Sequence, residues 1–308
     1  MATDGGTRAV VAALLANTGI AITKFVAFAL TGISSMLAEA IHSVADAGNQ
    51  LLLLVGGKKS KRAATEVHPF GYGRERYIYA FIVSIVLFSV GGLFALYEAR
   101  HKYLEIRSGH HEDPGQWWWV PLAVLSIAIV LETLSFRTAI IETNKVRGGA
   151  SYKDFVRHSK QPELPVILLE DLAALLGLVF ALVAVSLSLI TDNYYFDVAG
   201  TAMIGILLVA VAIVLAVETK SLLLGESAAP EAQERIAAAL RGTPGIARII
   251  HMKTLHVGPE ELLVGAKIAV SAGDTAAQVA TAIDAAEAAV RAAEPTATVI
   301  YLEPDIER

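Results

Sequence analysis

The chain has 308 residues, 55% hydrophobic and 18% charged, with a mean hydropathy of +0.55. That is too apolar for an ordinary soluble protein. A net charge of −5 is unremarkable and nothing in the chain's basic content suggests nucleic acid as a partner, and the absence of cysteine excludes disulfides and thiolate metal sites.

The opening MATDGGTR lacks a basic leader and a cleavage site, so the first apolar run reads as a retained anchor. A helix needs about 20 residues to cross the hydrocarbon core. Six such spans are expected, at residues 10–30, 33–57, 77–103, 117–143, 164–191 and 196–224. The turn Thr31-Gly32 makes the first two a hairpin, and Asp192-Asn193-Tyr194-Tyr195 does the same for the last two. Lys58, Lys59, Lys61 and Arg62 follow span two; Lys145, Arg147, Lys153, Arg157 and Lys160 follow span four. The opposite loop, 105–116, is short and mixed, with His110, His111, Glu112 and Asp113. Excess lysine and arginine marks the cytoplasmic side, which places both termini and the tail there. Trp117, Trp118 and Trp119 stand where an outer interfacial belt is expected. With no transit segment visible, a bacterial inner membrane is the expected location.

The apolar runs end near residue 225, so the expected organisation is a transport domain at 1–225 and a cytoplasmic domain at 226–308. Pro230 opens a helix at 231–240, ended by Gly242 and Pro244-Gly245. Strands are expected at 246–257, 261–270 and 296–302, with an alanine-rich helix from a cap at Asp274 to Ala293. The fold class is therefore a six-helix membrane protein followed by a small αββαβ, ferredoxin-like α+β domain.

The chemistry lies inside the spans. His42 and Asp46 are four residues apart in span two, so both project from one helix face. An imidazole nitrogen beside a carboxylate is half of a four-coordinate metal site. Span five carries Glu170-Asp171 between apolar neighbours. Adjacent residues point about 100° apart, so the two acids do not aim at one point. Asp171 is the expected ligand; Glu170 is left open as a fourth ligand, a supporting partner or a proton carrier. Ionisable groups at membrane depth are costly and read first as functional. Glu98, Asp197 and Glu218, near span ends, read as snorkelling instead. Asn17, Lys24, Asn49 and Gln50 read as lining an aqueous approach or tying helices together. Imidazole with carboxylates suits Zn(II) first, then Mn(II), Fe(II) or Co(II). Metal binding needs neutral imidazole and ionised acids, so metal and protons compete for one set of groups. Such a site, open alternately to either side, exchanges protons for metal. A membrane-embedded metallohydrolase is the other class; it lacks the His-Glu-x-x-His helix it would need.

The segments Leu37-Ala38-Glu39-Ala40-Ile41-His42-Ser43-Val44-Ala45-Asp46, His68-Pro69-Phe70-Gly71-Tyr72-Gly73-Arg74-Glu75-Arg76 and Leu302-Glu303-Pro304 resemble the cation diffusion facilitator family of zinc transporters. The resemblance implies Zn(II)/proton antiport by a homodimer, with His42 and Asp46 as ligands. It also shows departures. Ile167 stands where most members carry a second span-five ligand, and Leu168-Leu169-Glu170-Asp171 is similar to the mitochondrial zinc transporter group. His68, near Glu66, keeps company with Tyr72 instead of further histidines, and Tyr301 replaces a histidine before Glu303-Pro304. The tail is therefore expected to dimerise without sensing metal. His251 and His256, five apart on a strand, are expected to face opposite sides. Arg74 is expected to pair with Glu226.

Overall fold

The computed structural model describes residues 2–31, 34–109 and 117–306. Gly32 of the expected first turn, and His110, His111, Glu112 and Asp113 of the expected outer loop, lie outside the described residues. Packing divides the chain into two units: Met1–Lys58 with Ile78–Lys220, and Lys59–Tyr77 with Ser221–Arg308.

The first unit is a bundle. Its long helices are α1 (Ala2–Thr31), α2 (Ser34–Lys59), α3 (Glu75–Val86) continuing through a π-helical stretch at Leu87–Leu93 into α4 (Phe94–Arg107), α5 (Trp119–Val146), α7 (Glu163–Thr191) and α8 (Tyr195–Leu224). A short helix, α6 (Tyr152–His158), capped by Ser151, stands where sequence suggested only loop. Among the described residues five helices are long and apolar enough to cross a membrane: α1, the continuous Glu75–Arg107, α5, α7 and α8. At 26 residues α2 has the length as well, but it carries His42, Asp46, Asn49 and Gln50. The apolar outer surface is extensive: Leu15, Ile22, Val130, Ile190 and Ile206 are all more than half exposed. An apolar surface of that extent marks contact with a membrane.

Between helices in lipid, association comes from close packing more than from the hydrophobic effect. Helix α5 packs on α1 and α7, and α1 packs on α7. Ala9, Val10, Ala13, Leu53, Val83, Ala139, Leu164, Ile167 and Leu215 belong to the resulting core. Small residues let backbones approach. A Cβ on Gly92, in the π stretch, would lie 2.6 Å from Val209 Cγ2 and 3.0 Å from its backbone nitrogen on α8. Asp197, read as snorkelling near a span end, pairs with Lys102 at 2.8 Å and links α8 to α4.

The second unit holds α9 (Pro230–Arg241), β1 (Arg248–Gly258), β2 (Glu261–Val270), α10 (Ala276–Ala293) and β3 (Val299–Ile306). The sheet order is β1-β2-β3, with β1 and β2 antiparallel and β2 and β3 parallel through α10. Ile236, Leu240, Leu262, Val264, Ile268 and Val290 form its core. Two local expectations are corrected. The cap of α10 is Thr275, in a capping box with Gln278, because the Asp274 carboxylate accepts from the Ser271 N–H instead. The last strand runs from Val299 and not from Thr296, whose hydroxyl is engaged by Glu294. The Lys59–Tyr77 segment joins this unit through the β1–β2 turn. A Cβ on Gly73 would fall 2.8 Å from the Cα of Gly258, so only glycine permits that approach.

Candidate metal site

The bundle holds a partly open cavity of about 70 Å³, room for several water molecules. His42 and Asp46 of α2, Glu170 and Asp171 of α7, Asn17 and Lys24 of α1, and Glu132 of α5 share its wall. The adjacency of His42 and Asp46 follows from helix geometry: Nε2 and Oδ2 are 3.6 Å apart, with 24% and 16% of the side chains exposed. The π stretch passes against this pair, since a Cβ on Gly91 would lie 3.6 Å from His42 Cε1. π-Helical turns recur at functional sites.

The adjacent acids of α7 behave differently, as their roughly 100° separation requires. Glu170 accepts from Asn49 Nδ2 at 2.8 Å on one oxygen and from Gln50 Nε2 at 2.9 Å on the other. Asn17 Nδ2 in turn donates to Gln50 Oε1 at 3.4 Å. This buried chain ties α1, α2 and α7 together, which is the helix-tying role read for Asn17, Asn49 and Gln50. Asp171 accepts from Ser135 Oγ of α5 at 2.7 Å on Oδ2, while its buried Oδ1 has no hydrogen-bond partner. Among the described residues no group of three or more imidazole or carboxylate side chains stands close enough to hold a metal as placed.

Two contributors were missed in the sequence. Glu132 and Ser135 lie in the middle of the 28-residue α5, and both are buried. The available signal was a lone acid at the midpoint of an apolar helix, the same signal that exposed Asp46. Ile167, where a second span-five ligand was sought, is wholly buried in the apolar core.

The other singled-out residues sit elsewhere. His251 is exposed and His256 buried, on opposite faces of β1. Lys267 binds Glu303 at 3.1 Å and Asp305 at 3.2 Å. Those two carboxylates hold the Lys267 ammonium above its ordinary range. His68 makes an edge contact with Tyr72, over which Arg62 is stacked. Arg74 Nη2 lies beside Gly225, next in sequence to Glu226.

Comparison with known proteins adds a second line. Residues 10–224 match the family profile of the cation efflux transmembrane domain. The chain is similar to the "Proton-coupled zinc antiporter SLC30A9, mitochondrial" of Homo sapiens, 32% identical over 82% of this chain and 44% of that protein. It is similar also to "Metal tolerance protein C4" of Arabidopsis thaliana, 26% identical over 85% of this chain and 56% of that one. "Magnetosome protein MamM" of Magnetospirillum gryphiswaldense is 24% identical over 90% of this chain and 81% of its own length. The chain thus spans under half the length of the mitochondrial relatives.

Proposed function

The chain belongs to the cation efflux, or cation diffusion facilitator, family, and on that premise we propose that it carries Zn(II) across a membrane in exchange for protons. The observation that carries this reading is the cavity itself. Imidazole and several carboxylates from three helices share one hollow inside an apolar bundle, and carboxylate oxygens there lack partners. The carboxylates on this wall outnumber its one lysine, Lys24, and buried excess charge is expensive, so protons or a dication must neutralise the remainder. That alternation is what exchange requires. His42, Asp46 and Asp171 are the proposed ligands, and Glu170, both oxygens held by amides, is the support that fixes α7 against α2. A cation entering from the basic, cytoplasmic side displaces protons from these groups, and protons displace it when the cavity faces outward. The relatives named as proton-coupled zinc antiporters favour Zn(II) and protons for this chain too. The family's members are transporters, which disfavours the metallohydrolase. The oxygen-rich donor set gives Mn(II), Fe(II) or Co(II) a place as alternative cargo. A homodimer joined through the C-terminal unit is the proposed assembly.

The test is the full chain in proteoliposomes with an internal pH dye. Inward-directed Zn(II) is expected to drive proton efflux, and Asp46→Ala to abolish it. Zn(II) uptake with no accompanying pH change would overturn the exchange, and no metal flux at all would overturn the carrier.

A further inference from the structure

One group in the cavity has no task in that reading. Glu132 is 1% exposed, and its Oε1 is buried without a hydrogen-bond partner. Ser135, three residues along α5, donates to Asp171 at 2.7 Å, so this face of α5 is turned onto Asp171. The Oδ1 of Asp171 is unpartnered as well. The charges that act on Glu132 are those of Asp171, Asp46, Glu170 and Lys24, all on the same cavity wall. Native proteins rarely leave such oxygens without a water, ligand or ion to complete them. Glu170 is the weaker candidate, because each of its oxygens already accepts an amide bond while Glu132 Oε1 and Asp171 Oδ1 accept none. Ile167 has no donor atom to offer.

We infer that Glu132 is a direct ligand of the transported cation, so that α5 supplies the donor that α7 lacks and the set becomes His42, Asp46, Asp171 and Glu132. This rests on the cation-exchange reading above and deepens it. The set holds one imidazole nitrogen and three carboxylates. It is harder than a two-imidazole site, and it admits Mn(II) and Co(II) beside Zn(II) more readily. The cation draws these side chains inward around it.

The test titrates Zn(II), Mn(II) and Cd(II) into the purified full-length protein and its variants. Glu132→Gln is expected to weaken Zn(II) about 100-fold, the top of the range seen when a merely supporting group is lost. Glu132→Asp, which keeps the carboxylate, is expected to recover most of that loss. The chain has no cysteine. E132C therefore introduces a single thiol, which a soft cation prefers. With Cd(II) it is expected to show a thiolate-to-cadmium ultraviolet band, lost again in E132C/D46A. If Glu132→Gln binds Zn(II) like the wild type while His42→Ala and Asp46→Ala do not, this inference falls and the cation-exchange reading stands. If His42→Ala and Asp46→Ala also bind normally, the reading itself falls. Should Glu132→Gln fail to fold, folded E132C decides: no cadmium band overturns the inference.

Discussion

Replacing Glu170 by glutamine and Asp171 by asparagine separates a support from a ligand. Each change removes one formal charge and preserves side-chain size. Glu170 is 4% exposed and receives two amide donors, at 2.8 and 2.9 Å. In Glu170→Gln one donor keeps an oxygen, now neutral, and the other meets an NH₂ group, so one bond is lost and the other loses its charge assistance. In soluble proteins that costs ~1.5–3 kcal/mol. Between membrane helices measured values run lower, ~0.6–1.7 kcal/mol, because the unfolded chain in lipid also finds partners. The lipid value governs here, giving a loss of about 1 kcal/mol and a Tm fall of about 2–4 °C. Asp171 differs: one oxygen is held by Ser135 and the other is free to meet a cation. Asp171→Asn removes the charge of a proposed ligand, and the expected ~100-fold loss of Zn(II) affinity corresponds to about 2.7 kcal/mol. The assay pairs calorimetric Zn(II) titration with thermal unfolding followed by circular dichroism, both variants in one detergent. Glu170→Gln should bind Zn(II) within about fivefold, or ~1 kcal/mol, of the wild type and unfold earlier. Glu170→Gln losing Zn(II) as deeply as Asp171→Asn, at an unchanged Tm, would refute the division of roles.

Gly92→Ala should force α8 away from the π stretch, since its Cβ would lie 3.0 Å from the Val209 backbone nitrogen. Overpacking of this kind costs about 1–3 kcal/mol, read as a lower Tm that Val209→Ala relieves only in part, because the backbone stays. Lys102→Met should leave Asp197 without its 2.8 Å partner and loosen α4 from α8, read as faster hydrogen exchange in both helices. In the C-terminal unit burial alone would push the Glu294 carboxyl up, but hydrogen bonds from Thr296 and Arg235 outweigh it and hold it below its ordinary range. A depressed folded-state value stabilises above the unfolded pKa and is lost as pH falls through the folded one. Glu294→Gln should therefore speed hydrogen exchange in α9 and α10 at pH 7, with the difference from wild type shrinking as pH falls out of the ordinary carboxylate range and through the lower folded value; a difference undiminished in strong acid would sink the assignment.

Much of the fold was legible from local pattern. Apolar runs of bilayer length located the long helices within a few residues, and Glu261–Val270 matched its strand because alternation and a Gly-Pro turn bounded it. The misses share a cause. Thr275 rather than Asp274 capped α10 because two neighbouring residues competed for one role, and the winner was set by which also met Gln278. The π stretch, the short α6 and the grouping of Lys59–Tyr77 with the C-terminal unit depend on packing against residues far away in sequence. Glu132 carried a readable signal, a lone acid at mid-span, but nothing in one helix's sequence says which way its side chain faces.

By itself the sequence determined the solvent this protein was built for and the chemical type of its site. Composition and hydropathy require lipid, the missing cysteines exclude thiolate donors, and four-residue spacing sets His42 beside Asp46 whatever surrounds the helix. Only the tertiary structure decided which acids share a hollow and which are already engaged. Helix–helix contact brings Asn49 and Gln50 onto Glu170, Ser135 onto Asp171, and Glu132 to the same wall. The physical reason is one of range. Periodicity orients neighbours within a turn, whereas a buried carboxylate's partner is set by close packing between helices, 36 residues apart for Ser135 and Asp171 and 121 for Asn49 and Glu170.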